Sequence, residues 1–225
     1  MVSGTQRALL LLSGGIDSPV AGWLARQRGV HVDCIHFANE VFAGNEPEYK
    51  SRLLAKKLGF GQFYFVDISS LLARLAGHGN RKYYFVLMKR AMMKIAEQVA
   101  LRHGYDFLVT GESLGQVSSQ TLKNLAVIDK STRIKIVRPL LCLDKVEIIH
   151  LAEKIGSFDL SKGKEHCDAL ATGKPSTQAD EDLVLQDEAL VQLDKLVAEA
   201  VQQVVQEPVA SMKEPEAPRH LKGVC

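Results

Sequence analysis

The sequence predicts an open, doubly wound α/β fold built on a five-stranded parallel sheet, and three observations carry that prediction. An uninterrupted apolar run, Ala8 to Leu12, leads directly into a glycine turn and a helix start. Strand-like and helix-like segments then alternate along the chain. Polar, loop-like residues follow the strand-like runs, where parallel sheets of this class hold their ligands.

The stretch ALLLLSGGIDS, Ala8 to Ser18, reads as a buried strand running into a turn made by Ser13, Gly14, Gly15, Ile16, Asp17 and Ser18. Pro19 follows at a position where the first turn of a helix tolerates a missing N–H. The glycines let the backbone approach an anion, the hydroxyls of Ser13 and Ser18 can donate, and the helix start directs its free N–H groups to the same place. A phosphate site follows. The spacing matches neither a Walker A loop nor a dinucleotide G-x-G-x-x-G, and the acid inside the turn invites a metal beside the phosphates.

Pro19 to Arg28 is the first helix, with Val20, Trp23 and Leu24 at core-facing spacing and Gly29 ending it. His31 to Phe37 is the second strand; it alternates apolar residues with His31, Asp33 and His36, and Cys34 is structural. Glu46 to Leu58 is a helix closed by Gly59, and Phe63 to Ile68 the third strand, which gives two right-handed β-α-β crossovers. After the short helical SSLLARLAG and a polar turn from His78 to Arg81, a long helix runs from Lys82 to His103. Met88, Met92, Ile95 and Val99 recur on its apolar face, with Lys89, Arg90 and Lys94 between them.

Tyr105 to Gly111 is the fourth strand, followed by the polar stretch Glu112 to Val127. Ile134 to Pro139 is the fifth, and Asp144 caps a helix ending at Lys154. From Gly156 the chain loses periodicity. Residues 1–178 are read as one domain and 179–206 as a C-terminal helix with Leu183, Leu190, Leu193 and Val197 on its apolar face. Residues 207–225, rich in proline and charge, are read as a disordered tail.

Composition sets the outer bounds. The chain has 225 residues, 46% of them hydrophobic, and a formal charge of +2, which permits an RNA partner without requiring one. The N-terminal apolar run is too short to span a membrane, so a cytoplasmic protein is expected. Cys34, Cys142, Cys167 and Cys225 form no C-x-x-C pair, which excludes a zinc ribbon or disulfide scaffold; Cys142 is read as a packing residue.

The turn resembles the SGG-x-DS motif of the PP-loop ATP pyrophosphatases, which cleave ATP between the α- and β-phosphates. SGGIDSPVA, His36-Phe37, the LMKRAMM run, TGESLGQVSSQTLKNL at Thr110 to Leu125 and RPLLCLDKVEII at Arg138 to Ile149 are together similar to the 4-thiouridine synthase family, tRNA sulfurtransferases that also serve thiamine thiazole synthesis. The likeness extends from Leu9 to about Ala179. It implies an enzyme that adenylates the uridine oxygen of tRNA, releases pyrophosphate and then transfers sulfur. It also implies ATP contacts at Leu11, Leu12, Ser13, Gly14, Gly15, Ile16, Asp17, Ser18, His36, Phe37, Lys89, Gly111 and Gln120, with Mg²⁺ near Asp17. Lys145, in the LDK motif, reads either as a second cation at the phosphates or as a solvated charge after the helix N-cap.

Cys167, with His166, Lys164 and Lys174 close in sequence, is the expected sulfur carrier, as a persulfide or as the final thiol nucleophile. Cys225 has the freedom of a tail to approach it. A cysteine desulfurase or another donor would supply the sulfur. Relatives of this kind carry a ferredoxin-like and THUMP region that captures tRNA, and some a rhodanese domain. Neither precedes or follows the turn here, so weak RNA affinity is expected, with a separate RNA-binding partner or the second subunit of a homodimer supplying the grip. The competing readings are action on a small acceptor or sulfur carrier, an ammonia-using PP-loop ligase, and a noncatalytic nucleotide-binding subunit.

Overall fold

The computed structural model describes residues 4–39, 41, 44–162 and 174–213. Six strands form one sheet: β1 (Arg7–Leu11), β2 (His31–Ala38), β3 (Gln62–Asp67), β4 (Phe107–Val109), β5 (Lys135–Val137) and β6 (Val205–Pro208). Their spatial order is β5-β4-β1-β2-β3-β6. β1 pairs in parallel with β2, Leu10 opposite Cys34, and with β4, Leu9 opposite Leu108. β6 alone runs antiparallel, placing Glu207 opposite Phe63.

The uninterrupted apolar run of β1 follows from its central place, because both of its faces are covered. Leu9 and Leu11 join Ile35, Tyr64 and Val66 in one core. That face is covered by α3 (Ser69–His78), α4 (Tyr84–His103), α5 (Leu122–Asp129), α8 (Glu181–Val191) and α9 (Leu193–Gln202). Ala8, Leu10 and Leu12 turn the other way, with Val32 and Cys34, toward α1 (Asp17–Gln27), α2 (Glu46–Leu58) and α6 (Lys145–Lys154). A single turn, α7 (Phe158–Ser161), follows α6.

Several expectations are corrected. The sheet has six strands because Val205–Pro208, divided in the sequence reading between helix and tail, adds an edge strand; Arg52 of α2 pairs with Glu207 and fastens it. The C-terminal helix is two helices broken at Gln192, whose φ of 57° is left-handed. The break resets the helical phase, so Val184 and Val191 are buried before it and Leu193 and Val197 after it, while Leu183 and Leu190 are exposed. The polar stretch after β4 contains α5, capped by the Thr121 side chain accepting from the Asn124 N–H. The helix expected from Lys82 opens as a 3₁₀ turn, Arg81–Tyr83, before α4 begins.

On α1, Trp23 and Leu24 are half-buried at the edge of the core while Ala21 and Ala25 face inward. Cys142 is exposed, the inward position in its turn being taken by Leu140; Cys34 is buried as expected. Asp33 and His36 stand among the apolar residues of β2. Both are buried in β2, and Asp33 is satisfied by the Tyr105 hydroxyl at 2.6 Å, the Gln62 N–H at 2.6 Å, His31 and Arg7. On α4, Arg90 is buried and paired with Glu188 at 2.5 Å, which ties α8 onto the first core. No described helix is long and apolar enough to cross a membrane.

Candidate active site

The chain leaves β1 toward β2 and β3 on one side, then returns to lay β4 and β5 on the other. The crevice beyond the carboxyl ends of β1 and β4 is therefore the topological switch point, where open α/β sheets hold ligands. The Ser13 to Ser18 turn lies there, at the start of α1. It is organised by its own hydroxyls: the Ser13 N–H donates to Ser18 Oγ at 2.9 Å, the two hydroxyls lie 3.0 Å apart, and the Gly15 N–H donates to Ser13 Oγ at 3.3 Å. Ile16, the N-cap of α1, makes no side-chain cap hydrogen bond, which leaves first-turn donors for an anion.

The end of β4 closes against this turn. A Cβ built on Gly111 would stand 2.6 Å from the Ser18 nitrogen and 2.7 Å from the Asp17 carbonyl carbon, so only glycine allows the two backbones to meet. Gly14 is similarly close to α2, with 3.1 Å from its Cβ position to the Pro47 oxygen and to Lys50 Cβ. Across the turn, Lys145 Nζ reaches Asp17 Oδ1 at 2.7 Å. Lys145 owes that position to the capping box of α6, in which Asp144 accepts from the Glu147 N–H and Glu147 accepts from the Asp144 N–H.

His36 stands beside the turn on β2. Its Nδ1 lies 3.0 Å from the Leu12 carbonyl oxygen, which fixes the proton on Nδ1 and leaves Nε2 as a buried acceptor without a partner among the described residues. Burial lowers its pKa, outweighing the Leu12 hydrogen bond and the nearby Glu48 charge. Phe37 packs on the first core, and Leu11 and Leu12 lie at the buried end of β1. Gln120 closes the loop after β4. Its side-chain oxygen accepts from the Ser113 N–H at 3.4 Å, and its carbonyl from the Gly115 N–H at 3.1 Å.

Lys89 projects from α4 to within 3.5 Å of Glu112 Oε1. Glu112 is itself held by Arg138 Nε at 2.8 Å and the Thr110 hydroxyl at 3.0 Å. Burial alone would raise its pKa, but the Lys89 and Arg138 charges and these hydrogen bonds prevail and hold the carboxyl below its ordinary range. Ser113 continues the strap, its hydroxyl donating to the Leu143 carbonyl at 2.8 Å, just before the α6 cap.

One crevice thus gathers the Ser13 to Ser18 turn, Leu12, His36, Gly111 and Lys145, with Lys89 and Gln120 joined to it through Glu112 and Ser113. Glu112 and Arg138 received no role in the sequence reading, although both lie inside the motifs TGESLGQVSSQT and RPLLCLDK; an acid one residue beyond a strand-end glycine was the available signal. Cys167, His166, Lys164 and Cys225 lie outside the described residues. Both described flanks of the Cys167 segment are tethered: the Lys162 carbonyl accepts from Lys50 Nζ at 3.2 Å, and the Ser176 N–H donates to the Lys82 carbonyl at 2.8 Å. Asn124, fully buried, also donates to the Ser176 carbonyl at 2.8 Å and accepts from the Ala179 N–H at 2.8 Å. Among the described residues no cluster of His, Cys, Asp and Glu could hold a metal ion by itself. A cavity of about 430 Å³ at the α8–α9 elbow, lined by Leu185, Glu188 and Gln192 among others, lies apart from this crevice.

A doubly wound sheet with its glycine turn at the switch point and no Walker lysine defines a domain of the PP-loop ATP pyrophosphatase type. Its sheet and helices superpose on an NMN synthetase from Francisella tularensis at a TM-score of 0.56, but at 18% identity that likeness extends to the fold alone. The family model of the thiamine biosynthesis protein (ThiI) matches residues 3–193, and the chain belongs to that family. It is 38% identical over 210 residues to a probable tRNA sulfurtransferase of Alkaliphilus oremlandii, covering 91% of this chain and 54% of that one. To the probable tRNA sulfurtransferase of Coxiella burnetii it is 39% identical, over 88% of this chain and 52% of the relative. A 4-thiouridine synthetase solved as an RNA complex with bound ATP matches with a TM-score of 0.85 and 33% identity, over 90% of this chain and 55% of that one. The chain therefore spans about half the length of the relatives it matches.

Proposed function

We propose that this domain activates a carbonyl oxygen by adenylation with ATP, that the oxygen is that of a uridine in tRNA, and that sulfur replaces it to give 4-thiouridine. The observation that carries the reading is the backbone contact of Gly111 with the turn at the switch point: it closes an uncapped helix start and a serine pair around a space suited to phosphate oxygens. The likeness to a 4-thiouridine synthetase that binds ATP and RNA supports the choice of chemistry.

Oxide is too basic to leave a pyrimidine ring, whereas AMP leaves readily, so ATP serves as activator. In this reading the turn holds the phosphates of ATP, and the ends of β1 and β2 at Leu11, Leu12, His36 and Phe37 face its base. Lys89 and Lys145 offset charge on the departing pyrophosphate, and Gln120 keeps the loop after β4 closed. Asp17 is the carboxylate that would hold Mg²⁺ together with the phosphates, where the ion supplies charge neutralisation; a single carboxylate fits an ion that takes its remaining ligands from phosphate and water.

Sulfur delivery falls to Cys167. The terminal sulfur of its persulfide attacks the activated carbon, AMP departs with the oxygen, and a second thiol opens the remaining sulfur–sulfur bond. The described residues that flank its segment are hydrogen-bonded, Lys162 to Lys50 and Ser176 to Lys82. A cysteine desulfurase would load the persulfide. The test is Cys167→Ser, which should retain tRNA-dependent AMP formation while abolishing 4-thiouridine, measured by nucleoside analysis of the treated tRNA. Sulfur transfer at the parent rate would refute the assignment of Cys167.

A second reading is favoured by the description of the family as a thiamine biosynthesis protein. The same adenylating crevice would then act on a small acceptor or a sulfur carrier, and AMP would form without tRNA.

A further inference from the structure

A lysine that serves a phosphate group must be pointed at it without being used up by a protein acceptor. Lys89 meets that description. Among the described residues its one ion pair is with Glu112, at 3.5 Å, a separation too long for a hydrogen bond. The neighbouring positions on the same face of α4, Phe85, Val86, Met92 and Met93, carry no charge. Among the described residues no hydrogen bond from the Lys89 ammonium is recorded, so its donors remain for another acceptor.

The two oxygens of Glu112 are used differently. Oε2 accepts from Thr110 Oγ1 at 3.0 Å and Arg138 Nε at 2.8 Å, whereas Oε1 has no hydrogen bond among the described residues although Glu112 is only 2% exposed. Arg138 is engaged with Oε2 alone, because its other nitrogens already hold Asp129. The cation left to be served by the free edge of Glu112 is Lys89. Gly111, the residue before Glu112, is the one that packs on the turn, so the carboxylate is fixed to the same strap that closes the crevice.

We infer that Glu112 is the positioning residue for Lys89: Thr110 and Arg138 lock one oxygen so that the other steers the ammonium to the nucleotide phosphates without satisfying it. This rests on the reading of the crevice as an ATP site and adds how one of its cations is aimed. The electrostatic alternative has the opposite sign, since a negative charge beside a triphosphate that did nothing else would weaken binding.

The test is a double-mutant cycle on the full chain, with affinity for a nonhydrolysable ATP analogue and Mg²⁺ read by titration calorimetry. Lys89→Met and Glu112→Gln should each weaken binding about tenfold, the scale of a hydrogen bond to a charged group. The double variant should bind no worse than Lys89→Met alone. Unchanged or tighter binding by Glu112→Gln would overturn the inference, as would a further tenfold loss when it is added to Lys89→Met. If the parent chain does not bind the analogue, or Lys89→Met binds as the parent does, the ATP-site reading or the part of Lys89 in it fails first, and this inference with it. Should Glu112→Gln not fold, Thr110→Val, which removes one of the two groups that lock Oε2 and keeps the charge, must weaken binding in the parent and not in the Lys89→Met background.

Discussion

Gly111→Ala tests the most constrained contact of the site. Ordinary contact for a Cβ begins near 3.4 Å, and the added methyl would stand 2.6 Å from the Ser18 nitrogen and 2.7 Å from Asp17 C and Ser18 Cα. All three are backbone atoms at the start of α1, so no side chain can swing aside, and the turn must retreat from β4 by about 0.8 Å. Overpacking of this kind costs about 1–3 kcal/mol of stability. The larger consequence is positional, because a misplacement approaching 1 Å at a group that orients substrate lowers turnover by about a hundredfold. Acceptor-dependent pyrophosphate release reads the turnover, and thermal unfolding reads the stability. Gly22→Ala is the control: its Cβ would meet Leu10 Cδ2 at 2.5 Å and the Phe60 ring at 2.7 Å, inside the core, so it should lower stability with a far smaller effect on turnover. Parent-level turnover by Gly111→Ala would refute the claim that this backbone contact shapes the phosphate site.

Two further outcomes are expected. Lys145→Met should reduce turnover by about a hundredfold, the scale of one preorganised charge-stabilising group, with little loss of stability, because the Lys145 side chain is 42% exposed and exposed pairs contribute little; equal losses in both, by kinetics and denaturant melts, would make the pair structural. The pH dependence of stability should fall in two windows. His36 titrates below its unfolded value of 6.5 because burial disfavours its cation, so the unfolded chain binds the proton first and stability drops as pH falls from about 6.5 toward the folded value. Glu112 likewise contributes stability above its unfolded 4.5 that is lost as pH falls below it, through the depressed folded value. Urea melts of His36→Asn should lose the upper window and those of Glu112→Gln the lower; windows that persist in both variants would contradict these assignments.

The parts legible in the sequence were those whose physics is local. An apolar run, two glycines, paired hydroxyls and a helix start within eleven residues, Ala8 to Ser18, announce a buried strand and an anion turn by themselves. The Asp144 cap was legible for the same reason. What escaped depends on partners far along the chain. β6 has the sequence VQEP, without apolar alternation, and exists because the edge of β3 and Arg52 receive it. Asp33 interrupts the apolar run of its strand, and the Tyr105 hydroxyl that satisfies it lies 72 positions away. The break at Gln192 carries no glycine or proline to mark it. The role of Glu112 is invisible until Lys89, Arg138 and the carboxylate are placed together, since an isolated acid in a loop is ordinarily solvated.

The central claim is that the switch-point turn directs cleavage of ATP between its α- and β-phosphates to activate an acceptor oxygen. Product analysis of ATP incubated with the chain, tRNA, cysteine, a cysteine desulfurase and a thiol reductant tests it most directly. AMP and pyrophosphate are expected in equal amounts, matching the 4-thiouridine formed, with a loss of at least about a hundredfold in Asp17→Ala. Release of ADP and phosphate, or parent-level AMP formation by Asp17→Ala, would contradict it.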